Sequence, residues 1–138
     1  MLKKIIFPVL ALFPLAIQAA ELKTFPEVAQ AVSAGKDLVF VVSLQDCDAS
    51  LGNIRVSVKP NALMLIADKR VTASDRHFTL DEPGYSGTAV YDYAKFNINA
   101  DGSAELHMTI MDAKDYHPFS SRKINCELAK GMKVFSLS

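Results

Sequence analysis

The sequence has no excess of either charge, and this absence excludes several classes of partner. Its 15 lysines and arginines balance 15 aspartates and glutamates. Removal of the N-terminal residues 1–20 would take away Lys3 and Lys4, so that 13 bases would face 15 acids, a net charge of −2. Proteins that bind nucleic acid or anionic membranes usually carry a basic patch. We therefore expect no nucleic-acid partner.

Motifs of redox chemistry, metal binding and nucleophilic catalysis are also missing. The two cysteines do not form a CxxC motif, and the three histidines form neither an HxH nor an HxxxH pair. The sequence contains no Gly-x-Ser-x-Gly turn that would mark a nucleophilic serine. We therefore predict no metal site and no cofactor.

The longest apolar segment is too short to cross a membrane. Residues 5–17 form an uncharged run of 13 residues that two prolines interrupt, whereas a transmembrane helix needs about 20. Two lysines precede this run, and Ala19 and Ala20 follow it, which is the order of a secretory signal peptide. We predict a signal peptide over residues 1–20, cleaved after Ala19 or Ala20. Cleavage leaves one domain, residues 21–138, in the periplasm or outside the cell, without a membrane anchor.

Cys47 and Cys126 both lie in the predicted exported domain. An oxidising compartment favours their pairing, and two cysteines allow only one intramolecular disulfide. Free buried thiols and an intermolecular bridge are the alternatives that the sequence leaves open.

A capping box predicts a short helix at the start of the domain. Thr24 is the N-cap, Glu27 follows three residues later, and Pro26 lies in the first turn, where its missing N–H costs nothing. Gly35 ends the helix. One apolar face is formed by residues at helical spacing: Phe25, Val28, Ala29 and Val32.

The rest of the chain has the alternation and the turns of short strands. Residues 38–44 form a nearly unbroken apolar run, which predicts a buried central strand. A proline turn over residues 59–62 predicts a first hairpin. Its register sets the following pairs on one face: Val58 with Leu63, Val56 with Leu65, and Ile54 with Ala67.

A second hairpin is predicted around a three-residue loop, residues 100–102, with Gly102 in the left-handed conformation. This loop sets Ile98 opposite Ala104, Phe96 opposite Leu106 and Ala94 opposite Met108. The other face pairs Asn97 with Glu105, Lys95 with His107 and Tyr93 with Thr109. Two further strands are predicted over residues 120–128 and 132–137.

These elements predict a mainly β fold of the α+β class. The short N-terminal helix packs on an antiparallel meander of about seven or eight strands. The spacing of the strands is compatible with a small barrel and with a strongly curved sheet.

The polar stretch over residues 74–80 contains the candidate functional side chains. Asp75, His77 and Thr79 are predicted on one face of a strand, with Phe78 and Leu80 on the other. A carboxylate beside an imidazole can orient it and raise its basicity, which is the minimum for acid–base catalysis. A solvated strand face explains the same residues. Ser74 and Tyr93 are added as candidate binding residues.

Two other patterns resemble metal sites. Asn97 to Glu105 imitates the first nine positions of a calcium loop, but Met108 stands where the bidentate glutamate is required, and a hairpin turn explains these residues. A zinc site would require His77, His107 and His117 to converge, and their spacing gives no reason to expect this.

Several short motifs together resemble a known family. They are the helix with the strand up to Cys47; Ser74-Asp75-x-His77-Phe78-Thr79; Tyr93-x-x-Phe96 with Asp101-Gly102; and Cys126-x-Leu128-x-x-Gly131-x-x-Val134-Phe135. With these motifs the chain resembles the VirK-like family of small exported proteins of Gram-negative bacteria. The match covers most of residues 21–138 and is less clear over residues 48–70. The resemblance implies an exported location and a disulfide, and it brings no mechanism.

We therefore expect an exported, non-enzymatic protein that binds a protein or a small ligand. A virulence-associated role is implied by the family resemblance alone. The alternative hypothesis is a small periplasmic enzyme that uses Asp75 and His77 as an acid–base pair. A third, a carrier of small ligands, would require an apolar cavity inside a closed barrel.

Overall fold

Two antiparallel β-sheets pack against each other in the structure, a computed structural model that describes residues 19–137. Most of the predicted signal peptide, residues 1–18, lies outside the described residues, so that signal peptide stays a prediction. No helix within residues 19–137 is both long and apolar enough to cross a membrane.

The strands divide unequally between the two sheets. The four-stranded sheet contains β1 (Ala20–Leu22), β2 (Leu38–Ser43), β3 (Arg55–Val58) and β9 (Met132–Ser136), in the order β1-β9-β2-β3. The five-stranded sheet is a meander in chain order of β4 (Ala62–Ile66), β5 (Arg70–Thr79), β6 (Val90–Asn99), β7 (Ser103–Asp112) and β8 (Pro118–Glu127). The helices are α1 (Phe25–Ser33) and α2 (Leu44–Cys47), followed by a 3-10 turn at Ala49–Leu51.

The mainly β class with one amphipathic N-terminal helix is confirmed. The described chain has nine strands rather than seven or eight, and these strands do not close into a barrel. A register shift between Ile110 and Met111, where β7 pairs with β8, is a bulge of the kind that bends and twists a sheet.

Helix α1 forms as the capping box predicts. The Thr24 hydroxyl accepts from the Glu27 backbone N–H at 3.4 Å, and the Glu27 carboxylate accepts from the Thr24 N–H at 2.8 Å. Gly35 has a φ of +67°, which is the left-handed conformation that ends many helices. The buried face consists of Phe25, Val28 and Ala31, whereas the predicted Ala29 and Val32 are only half-buried.

The core lies where the four-stranded sheet and α1 cover one half of the five-stranded sheet. Phe40 of β2 and Phe96 of β6 are fully buried, and their ring centroids are 5.0 Å apart. Strand β2 is an interior strand, as predicted, but it buries only alternate residues: Leu38, Phe40 and Val42. Each such side chain contributes about 1.5–3 kcal/mol of burial free energy. These side chains fill the space in which the carrier hypothesis would require an apolar cavity.

The predicted first hairpin is wrong. Strand β3 pairs with β2, placing Val56 opposite Val42, and β4 pairs with β5, placing Leu63 opposite Ala73. The turn over residues 59–62 instead carries the chain from one sheet to the other. Alternation determines which face of a strand is buried but not which strand lies beside it, so the same pattern fits either partner.

The predicted second hairpin is confirmed in every pair. Ile98 lies opposite Ala104 and Phe96 opposite Leu106, while Lys95 lies opposite His107 on the other face. Gly102 has the expected left-handed conformation, with a φ of +86°. The pattern succeeds here because the loop length and the turn residues both specify one register.

A disulfide joins Cys47 at the end of α2 to Cys126 in β8. It therefore links the short helix that follows β2 of the four-stranded sheet to β8, an edge strand of the five-stranded sheet. Gly131 packs directly against it, because a Cβ atom at this position would overlap the Cys47 Sγ and lie 3.1 Å from the Cys47 backbone nitrogen.

The variant Gly131→Ala tests this packing. We expect it to lower the free energy of unfolding by about 1–3 kcal/mol, the usual cost of overpacking, as measured by urea denaturation. The same substitution in a Cys47→Ala/Cys126→Ala background should cost clearly less, because the overlapping sulfur is gone. Equal costs in the two backgrounds would show that Gly131 does not accommodate the disulfide.

Candidate functional site

Half of the five-stranded sheet extends beyond the main core. Strands β5 to β8 have ten residues each, and the fully packed core residues, such as Val71, Phe96 and Ile124, lie towards one end. The other end, which we call the distal half, consists of residues 75–79, 90–94, 108–112 and 118–122. Val90 and Ile110 are buried there but do not belong to the core cluster. The distal half therefore presents surface that the four-stranded sheet does not cover.

The predicted polar residues lie on the two faces of this sheet. Asp75, His77 and Thr79 share the face turned towards the four-stranded sheet, because their register partners are Ala94, Asp92 and Val90. Ser74 and Tyr93, the other candidates, lie on the outer face. The five residues therefore cannot form one site.

A small crevice lies between β3 and the distal half. Val56 and Val58 of β3 form its apolar wall, and Asp75, His77 and Asp92 contribute polar groups. Its volume is about 60 Å³, which gives room for a few water molecules and not for an organic substrate.

The carboxylate that faces His77 belongs to Asp92. Its Oδ2 atom is 4.0 Å from the His77 Nε2 atom, which is longer than a hydrogen bond. The His77 side chain is 60% exposed and that of Asp92 only 18%. The Asp92 Oδ1 atom is buried and has no hydrogen-bond partner among the described residues.

Burial controls the acidity of Asp92. Desolvation raises the pKa of its carboxyl group above the usual value, the positive charge of His77 opposes this shift, and the Asp75 carboxylate adds to it. Nothing in the local sequence marks Asp92 as a neighbour of His77, because the two residues meet only through the pairing of β5 with β6, across the loop of residues 80–89.

The other metal-like patterns have ordinary structural roles. The Asp101 carboxylate accepts from the Ser103 N–H at 2.9 Å, and Glu105 forms an ion pair with Lys123. His107 lies on the outer face opposite Lys95, His77 lies on the inner face, and His117 lies in the β7–β8 loop. Within residues 19–137, no three histidine, cysteine or acidic side chains come together as metal ligands.

Aromatic side chains gather on the outer face of the distal half. The Arg76 guanidinium lies 4.5 Å from the Tyr91 ring centroid and 6.0 Å from that of Tyr116. The Tyr91 ring stacks on Tyr116 and meets Phe78 edge-on, each at 6.0 Å. We call these four residues the distal aromatic patch. Phe78 and Tyr116 are 54% and 55% exposed, so two large apolar side chains face the solvent.

A second aromatic pair extends this end of the sheet. Tyr85, from the β5–β6 loop, stacks on Phe119 of β8 with 5.3 Å between ring centroids. The sequence did not predict either group, because the members come from different strands and loops. Only the strand register and the course of the loops bring these rings together.

The Asp92 carboxyl group gives a titration test. We expect its pKa, measured from carboxyl carbon chemical shifts, to lie above the ordinary value of about 3.9. Asp75→Asn should lower this pKa, because it removes a repelling carboxylate, and His77→Gln should raise it.

The same shift has a consequence for stability. The raised pKa means that the folded state favours the protonated Asp92 carboxyl group. The contribution of this group to the free energy of unfolding is full below about pH 3.9, and it is lost as the pH rises through the folded pKa. We therefore expect the free energy of unfolding of Asp92→Asn to rise relative to that of the unmodified protein as the pH increases from about 4 through the folded pKa of Asp92. An Asp92 pKa at or below its ordinary value would contradict both expectations.

Comparisons with known proteins agree with the sequence motifs. The family model described as VirK protein matches residues 21–116. An uncharacterised protein of Sinorhizobium fredii is 29% identical over 121 residues, which are 83% of this chain and 81% of that protein. The crystal structure of a VirK family protein from Legionella pneumophila has a TM-score of 0.79 and 46% identity, and the match covers 85% of this chain and 99% of the Legionella chain. The family model spans well over half of the sequence, and the chain therefore belongs to the VirK family.

Proposed function

We propose that this protein is exported and acts as a non-enzymatic binding module that contacts a protein partner through the distal aromatic patch. The patch is the observation that carries this proposal. A virulence-associated role is suggested by the VirK family name and by nothing in the geometry.

Export is supported by the N-terminal sequence and by the disulfide. The basic, apolar and small-residue order of residues 1–20 is that of a cleavable signal peptide. A structural disulfide such as Cys47–Cys126 persists in oxidising compartments and is rare in the bacterial cytoplasm.

The composition of the patch supports a protein partner. Tyrosine and arginine are enriched among the residues that dominate binding energy at interfaces, and Phe78 adds exposed apolar area. Arg76 takes part in none of the ion pairs formed among residues 19–137, so its guanidinium N–H groups are available to a carboxylate. We infer a partner that places an acidic side chain beside an apolar one.

The enzyme hypothesis has one observation in its favour, the proximity of His77 to Asp92. Two others weigh against it. The 4.0 Å separation leaves the imidazole without a hydrogen bond that would orient it. The crevice volume of about 60 Å³ leaves no room for a substrate beside the two groups.

The binding proposal predicts that partner capture depends on the patch. The double variant Phe78→Thr/Tyr116→Asn removes two exposed rings while suiting the backbone, since Thr favours strands and Asn tolerates the positive φ of 62° at residue 116. Tagged protein is used to capture partners from the native periplasm and culture medium. The captured partner is then purified, and its dissociation constant is measured by calorimetry.

We expect the double variant to weaken binding of the purified partner at least ~30-fold, the effect of losing one or two interface hot spots. The matched control is Met64→Thr, which removes a side chain that is 58% exposed on the edge strand β4. It should bind as the unmodified protein does. Equal affinity of the double variant, or no partner that binds directly, would contradict the proposal.

A further inference from the structure

The outer face of the four-stranded sheet contains a cleft of about 270 Å³. Val41 of β2 and Phe135 of β9 are half-buried and form its apolar floor. They share a sheet face, because Val41 pairs with Lys133 and Val39 with Phe135. The cleft lies on the opposite side of this sheet from the core and shares no residue with the distal aromatic patch.

Three cations from different elements surround this floor. Arg55 belongs to β3, Lys133 to β9, and Lys130 to the turn between β8 and β9. We call the site formed by these three residues with Val41 and Phe135 the basic cleft. Asp46 is the acidic residue of the lining, so the lining carries a charge of 3 − 1 = +2, which falls to +1 when Glu127 beside Lys130 is counted. A local excess of positive charge in a chain with balanced charge attracts anions to that place.

Among residues 19–137, two of the three cations have no ion-pair partner and the third has a weak one. None of the ion pairs that the structure describes includes Arg55 or Lys133. Lys130 is 3.8 Å from Glu127, but the two side chains are 71% and 68% exposed, and such surface pairs are weak. An incoming anion therefore does not have to displace a strong internal partner.

From these observations we propose that the basic cleft binds a small carboxylic acid with a short apolar chain. Arg55 can hold the carboxylate with two parallel hydrogen bonds, and Lys133 and Lys130 add positive charge. The apolar chain would lie on Val41 and Phe135. The volume is just below that of pockets for drug-sized ligands, which limits the ligand to roughly ten non-hydrogen atoms. This site is separate from the proposed protein-binding surface and does not depend on it.

The test is a nuclear magnetic resonance titration of the exported protein, labelled with nitrogen-15, with sodium hexanoate. We expect saturable shifts of the amides of Val41, Gly131 and Lys133, with a dissociation constant on the order of 1 mM or lower. Acetate keeps the charge but lacks the chain, and hexanamide keeps the chain but lacks the charge. Each should bind at least ~5-fold more weakly, because each removes one of the two contributions.

Charge variants identify the residues responsible. Arg55→Gln should weaken hexanoate binding about 10-fold, and Lys133→Gln should weaken it to a smaller extent. Asp46→Asn should strengthen binding ~2-fold or more, because it removes the repelling carboxylate. The matched control, Lys114→Gln, removes one exposed charge in the β7–β8 loop and should have no effect.

Three results would overturn this proposal: equal affinity for hexanoate and hexanamide, shifts that do not map to the basic cleft, or an Arg55→Gln variant that binds as tightly as the control. Hexanoate binding that survives in Phe78→Thr/Tyr116→Asn would support it. The failure of either proposal therefore leaves the other standing.

Discussion

A disulfide between Cys47 and Cys126 fastens the helix that follows β2 of the four-stranded sheet to β8 of the five-stranded sheet. The two cysteines are 79 positions apart, and in the chain-entropy description such a closure stabilises a fold by about 4–5 kcal/mol. It lies at the end of the molecule where the core residues are also concentrated, and Gly131 allows β9 to approach it. The disulfide and the main core therefore lie at the same end of the molecule.

This asymmetry explains where the candidate functional surfaces lie. The four-stranded sheet has strands of at most six residues, so it covers only part of the ten-residue strands beneath it. Beyond the core, the inner face of the larger sheet becomes polar at Asp75, His77 and Asp92, and the outer face collects exposed aromatic rings. The smaller sheet carries charged residues around an apolar floor on its own outer face. The end that contains the disulfide and the core thus supports surfaces on both sheets.

Capping and turn residues predicted the local backbone structure correctly, whereas hydrophobic alternation did not always predict which strands pair. The capping box at Thr24 and the turn at Gly102 each specify one conformation, and both are confirmed. The alternation around Val56 fits more than one neighbour, so the predicted hairpin was wrong. Val56 and Val58 are half-buried as the alternation predicts, whereas Ile54 is 53% exposed. Alternation also does not show which residues face each other across strands. Asp92 was therefore not predicted, since it reaches His77 only through strand register. The contact of Tyr91 with Tyr116, a residue in a loop, was not predicted for the same reason. Residues that meet across strands and loops carry no signature in their own sequence neighbourhood.

Export and the pairing of Cys47 with Cys126 are both tested by the intact mass of protein taken from the periplasm of bacteria that express the whole chain. The denatured protein is treated with a thiol-alkylating reagent before and after reduction. We expect a chain that begins at residue 20 or 21 and takes up two alkyl groups only after reduction, because Cys47 and Cys126 are paired. Two alkyl groups on the unreduced protein, or a chain that keeps residues 1–18, would contradict it.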